Sequence, residues 1–182
     1  MAVYEIVVYD DPQLRVKSRR IRRVTPELRS LVEDMLETMH EARGIGLAAV
    51  QVGVPNRVIV VQLPEPEEGE EPRPGAGQLY VLVNPQLARK SREIEEGIEG
   101  CLSVPGLVGE VERHISVTVK GLDLSGRRIR LKAEGLLARV LQHEIDHCSG
   151  VLFIDHIEDP EKLWQVEEGE EEAAEAAQGV VI

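Results

Sequence analysis

In EGLLARVLQHEIDHCSG, residues 134–150, Leu136, Leu137, Val140 and Leu141 recur at helical spacing, and Ile145 continues their apolar face. Gly150 stands where a left-handed residue closes a helix, so a helix over about 134–148 is expected. Inside it lies His143-Glu144-Ile145-Asp146-His147, the pattern H-E-x-x-H. Four residues make about one turn, so both imidazoles project from one face and can share a metal, with Glu144 beside them to handle protons. A helix this apolar is largely buried, and buried His and Glu need a partner, which a metal supplies.

A catalytic metal needs a third protein ligand and an open position for water. The metzincin extension of the motif fails, because its final ligand position is Phe153. Glu167 or Glu168 stands at the distance of a thermolysin-like third ligand and would make the chain a zinc endopeptidase. Cys148 follows His147 directly, about 100° away around the helix, and reads as a packing thiol. Cys101 is the stronger candidate. It stands in EGCLSVPG, 99–106, where two glycines and a proline describe a sharply bent, closely approached backbone rather than a core strand. A third segment, GIGLAAVQVG over 44–53, is small and flexible, and by itself reads as a tight helix-to-strand connection; the Gln51 amide is its one side-chain hydrogen-bond donor.

Outward from these segments, a first helix should start at Thr25 as N-cap with Pro26 in the first helical position. It runs towards Gly44 with Leu28, Leu31, Val32, Met35, Leu36 and Met39 as one apolar stripe. Strands are expected at 58–63 and 79–83, joined by the Pro- and Glu-rich loop 64–78, and at 115–120 and 128–132, joined through Ser125-Gly126. Short strands around helices without regular βαβ alternation indicate an α+β domain. With 182 residues, 42% hydrophobic and 30% charged, one globular domain is expected. The net charge of -12 and the lack of a dense basic run argue against nucleic-acid binding. Two cysteines make no disulfide framework and point to a reducing, cytoplasmic setting; no apolar stretch approaches 18 residues, so no membrane is implied. From Asp155 onward ten acidic residues face one basic residue, Lys162, and the Glu/Ala-rich part of this tail is expected to be a solvated helix or a disordered end.

Together, G-I-G-L-A-A-V-Q, E-G-C-L-S and Q-H-E-I-D-H, in this order and at these separations, resemble the peptide deformylase family, bacterial metalloenzymes that remove the formyl group from nascent N-formylmethionyl chains. The resemblance implies an α+β fold with antiparallel and mixed sheets around the motif helix. It covers a single catalytic domain over 1–156, leaving 157–182 as the acidic tail. It also implies one ferrous ion (Fe2+), replaceable by Zn2+, Ni2+ or Co2+. Carried over residue by residue, it makes Cys101, His143 and His147 the ligands and Glu144 the general acid/base, with Gln51 and the backbone amide of Leu102 facing the formyl oxygen.

The resemblance further places Ile45, Leu136, Val140 and His143 around an unbranched apolar side chain, and the backbone of Ile45, Gly46 and Gly100 along an extended peptide. Arg139, four residues before His143 on the same helical side, stands where relatives often carry an apolar pocket residue. Either its head snorkels to the pocket rim or it changes side-chain preference. The implied partners are N-formyl-Met nascent peptides, met near the ribosome. The acidic end lacks the basic helix by which some relatives dock there, and no nucleic acid or membrane partner is implied. A non-catalytic module that only holds metal or peptide is disfavoured by the intact Glu144, Gln51 and Cys101.

Overall fold

The computed structural model describes residues 2–66, 68–69, 71–166 and 180–182. The Thr25 hydroxyl accepts from the Leu28 N–H and opens helix α1 (Pro26–Glu41), as its N-cap chemistry requires. In chain order the strands are β1 (Gly46–Ala48), β2 (Val58–Gln62), β3 (Leu79–Lys90), β4 (Ile94–Cys101), β5 (Val104–His114), β6 (Ser116–Leu122), β7 (Arg128–Glu134), β8 (Leu163–Gln165) and β9 (Val180–Val181). The motif helix α2 (Gly135–His147) follows β7. One sheet is antiparallel with order β1-β2-β3-β6-β7, and the other has order β8-β5-β4-β9, in which only β4 and β9 run parallel. The fold is therefore α+β with two sheets, and α2 packs against strands of both.

β2 is apolar at four successive positions because both its faces are covered. Ile59 and Val61 share a buried cluster with Leu137, Val140 and Leu141 of α2. Val58 and Val60 alternate with them and join Leu31, Met35 and Met39 of α1. A third cluster, with Leu14, Val104, Val111, Leu152 and Phe153, encloses Cys101. Beyond α2, Gly150 turns the chain at φ +75°, and a Cβ there would lie 2.5 Å from the Arg15 carbonyl oxygen.

Three expectations need correction. The segment 44–53 is not only a connection: Gly46–Ala48 pairs with Val61, Val60 and Ile59 before a 3-10 turn at Ala49–Val52, and this non-local pairing is what orders it. Cys101 is not in an irregular bend but closes a strand, pairing with Val104 across a two-residue turn at Leu102 and Ser103. The glycine signal survives there as a register shift between Gly100 and Cys101. β3 runs to Lys90, past the expected end at 83, because Asn84 at φ +53° and a register shift absorb Pro85 within the strand. The Glu/Ala-rich stretch 167–178 lies outside the described residues, whereas Leu163–Gln165 adds a strand beside β5. Among the described residues no helix is long and apolar enough to cross a membrane.

Met35, fully buried in the α1 cluster and remote from the motif, tests this packing. Met35→Ala should lower the unfolding free energy by about 2–5 kcal/mol, read as a lower denaturant midpoint with an unchanged slope; an unshifted midpoint would contradict the assigned core.

Candidate active site

β4 ends against one face of α2, and this brings Cys101 to the two histidines. The Cys101 Sγ lies 3.3 Å from His147 Nε2, which lies 3.2 Å from His143 Nε2. All three donors fall within 4.8 Å of one another and all three residues are buried. Two nitrogens and a sulfur held tetrahedrally at about 2.0–2.1 and 2.3 Å from a metal stand roughly 3.3–3.6 Å apart. The two spacings of 3.2 and 3.3 Å lie close to those values, so the three donors can be shared by one divalent ion. Glu167 and Glu168, the alternative third ligands, lie outside the described residues. Cys148 is fully buried in the core cluster, its thiol pushed up to about 12 by burial, in keeping with a packing role.

Glu144 is fully buried beside the ligands, and both its carboxyl oxygens lack a hydrogen-bond partner among the described residues. Burial, followed by the negative charges of Glu99 and Asp146, pushes its pKa well up. Burial likewise raises the Cys101 thiol and lowers His147, so each side chain favours its neutral form here. A cation at the centre would reverse the preference of the thiol and the carboxyl. The glycines have a steric role at this point: a Cβ on Gly46 would lie 2.5 Å from Glu144 Oε1.

Gln51 is fully buried and fixed at both ends of its amide. Its Oε1 accepts from Ala48 N–H at 2.8 Å, and its Nε2 donates to Ser103 Oγ at 3.1 Å while standing 3.7 Å from Cys101 Sγ. The backbone of residues 2–9 straps this part from behind, Val7 N–H to Gln51 O and Tyr9 N–H to Ser103 O. The Leu102 N–H donates to the Ile182 carbonyl at 2.9 Å.

The group that the sequence reading missed is Glu99. It sits inside the quoted E-G-C-L-S, yet its role depends on partners distant in sequence. Its carboxylate, fully buried, accepts from His143 Nδ1 at 2.9 Å, from Arg113 Nε and Nη2 at 2.8 and 3.0 Å, and from Arg139 Nη1 at 3.0 Å. Burial alone would raise its pKa, but the hydrogen bonds from His143 and Arg113 outweigh it and hold the carboxyl far below its usual range. Arg113 also donates to Asp146 at 2.6 Å, and Asp146 pairs with His156. The Glu99 bond keeps the proton of His143 on Nδ1 and leaves Nε2 to face the other donors, the usual outer support of a metal-binding imidazole. Arg139 is only 9% exposed, its guanidinium also bonded to the carbonyls of Val111 and Glu95 and lying against Gly97. Its head therefore belongs to the Glu99 cluster and not to a solvated rim. Ile45, Leu136 and Val140 converge on the α2 cluster, whereas Gly46 lies in β1 and Gly100 in β4.

The family profile described as Polypeptide deformylase matches residues 3–163. The chain belongs to the peptide deformylase family. A peptide deformylase of Thermomicrobium roseum is 53% identical over 179 residues, covering 98% of this chain and 99% of that one. Among solved structures, the peptide deformylase of Ehrlichia chaffeensis in complex with actinonin is 42% identical with a TM-score of 0.81, covering 89% of this chain and 92% of that one. A Met-Ala-Ser-bound class I type b peptide deformylase of Acinetobacter baumannii is 34% identical with a TM-score of 0.80, covering 86% and 99%. Deformylases are metal-dependent, which agrees with the three-donor cluster of this chain.

If Glu99 orients His143, Glu99→Gln should weaken metal affinity by about 10–100-fold, measured by competition with a chelator, while the chain stays folded. Unchanged affinity would show that the carboxylate plays no part in holding the ligand.

Proposed function

We propose that this chain hydrolyses the N-formyl group of N-formyl-Met peptides, giving formate and a free methionyl N-terminus. The observation that carries the reading is Glu144, an unpaired buried carboxyl placed beside a Cys/His/His donor set in a chain of the deformylase family. A divalent ion held by Cys101, His143 and His147 would supply Lewis acidity towards the formyl carbonyl and a more acidic water.

The chain's own groups account for the remaining work. Glu144 takes the proton of the attacking water and passes it to the leaving nitrogen as the formyl C–N bond breaks, a role that its unpaired carboxyl beside the donor set suits. The Gln51 amide, locked by Ala48 and Ser103, and the Leu102 N–H are donors fixed near Cys101, and we assign them to the developing negative charge on the formyl oxygen. Ile45, Leu136 and Val140 would form the wall for the methionine side chain. Gly46 and Gly100 would offer backbone to the peptide that follows. Arg139 shapes that wall from behind, its head tied to Glu99. Main-chain pairing tolerates varied sequences, as an enzyme acting on most new chains needs.

Ferrous iron is the metal we assign, with zinc, nickel and cobalt as substitutes, since thiolate and imidazole donors suit all four. We further place the enzyme in the cytoplasm, with catalysis carried by residues 1–156. It would meet nascent peptides near the ribosome, and its net charge of -12 disfavours nucleic-acid contacts.

Metal-loaded full-length chain should release formate from a formyl-Met dipeptide, and Glu144→Gln should reduce kcat by about 10²–10⁴-fold with metal content retained. Loaded protein that releases no formate would refute the reading. Anaerobic purification should yield iron, and a zinc form as active as the ferrous form would remove the case for it.

A further inference from the structure

The open side of β4 is not bare. Val180 and Val181 pair with Glu99 and Gly100 in parallel register, and Ile182 N–H donates to the Gly100 carbonyl at 3.1 Å. The Leu102 N–H in turn donates to the Ile182 carbonyl at 2.9 Å. Ile182 is fully buried within the cluster formed by Leu137, Val140 and Leu141, against which Ile45 and Leu136 pack. These are the groups that the functional reading above gives to the formylated peptide: Gly100 for its backbone, Leu102 N–H for its formyl oxygen, and Ile45, Leu136 and Val140 for its side chain.

We propose that residues 180–182 are an internal competitor for the peptide groove, so that substrate binds only when this segment leaves β4. The proposal rests on the deformylase reading. One N–H cannot serve both the Ile182 carbonyl and a formyl oxygen, and one apolar pocket cannot hold both Ile182 and a methionine side chain. Direction separates the two occupants. A peptide whose formyl carbon sits at Cys101 must run back along β4 towards Ile94, antiparallel to it, whereas residues 180–182 run parallel and bring the Ile182 carbonyl to Leu102. The segment thus fills the groove without placing an N-formyl group at the catalytic residues, and is not itself cleaved.

The same chain can supply the segment. β8 and β9 lie on opposite edges of a four-stranded sheet, about 14 Å apart at roughly 4.8 Å per strand. The thirteen residues 167–179 can reach up to about 45 Å. The attachment is short in register, two paired residues, so its release needs no rearrangement of β4 or β5.

The test compares the metal-loaded full chain with a form ending at residue 179 and with Ile182→Asp. For a groove filled nine-tenths of the time, KM for a formyl-Met dipeptide should fall about tenfold in both variants, with kcat within twofold and no dependence on protein concentration. The Leu102 amide, read by hydrogen exchange, should exchange faster in both variants. Adding a Val-Val-Ile peptide to the shortened form should raise KM competitively. Equal KM and equal Leu102 exchange in all forms would overturn the proposal. So would loss of folding in both variants, which would make the segment part of the core. A KM that rises with protein concentration would transfer the segment to a second copy and overturn the internal form. Absence of formate from every form would count against deformylation, while the Leu102 exchange would still decide whether the segment occupies β4.

Discussion

The buried carboxylate of Glu99 is the link on which the site depends. It belongs to β4, two residues before Cys101, yet it holds His143 of α2, so a single side chain sets the distance between the sulfur and the imidazoles. Such a charge would be costly without compensation, and two guanidiniums, Arg113 from β5 and Arg139 from α2, supply it. Buried ion clusters of this kind contribute little net stability compared with apolar packing; what they contribute is geometry, because each member has only one satisfied arrangement. The network spans strand, neighbouring strand and helix, and a shift of any one would leave a buried charge unpaired.

Around this link the rest of the site is arranged by small residues and backbone. Gly46 leaves room for Glu144, Ser103 and Ala48 lock Gln51, and the chain near residues 7 and 9 bonds across their backs. Glu144 is thus held in a dry place with no competing partner among the described residues, and burial there pushes its pKa up. The same β4 edge that would receive a peptide pairs with residues 180 and 181.

The parts of this arrangement that depend on local spacing were legible in the chain. The one-turn interval of His143 and His147, the apolar stripe of α1 and the Thr25-Pro26 cap are properties of a few adjacent residues, and the structure has all three. Cys101 was legible as a candidate ligand through its flanking glycines, and it lies in the donor cluster, although its backbone closes a strand where the glycines suggest an irregular bend. The strands β4 and β5 went unread because IEEGIEGC and VPGLVGEVERH carry glycines and charges in place of a clean alternation. Arg113 gave no signal, and Arg139 stood out only as a charge in an apolar pocket position, not as a partner of Glu99: that pairing is defined by the register of β4 on β5 and by the docking of α2, neither of which is local. β1 and β9 escaped for a related reason, since two- and three-residue strands acquire their conformation from the strand beside them.

Whether one sulfur and two imidazoles hold a single divalent ion is measured directly by X-ray absorption at the metal edge of the loaded full-length chain. With zinc in the site, one sulfur scatterer is expected at about 2.3 Å and two nitrogens at about 2.0–2.1 Å, with the sulfur lost in Cys101→Ala. A shell of nitrogen and oxygen alone, unchanged by that substitution, would contradict the three-donor site.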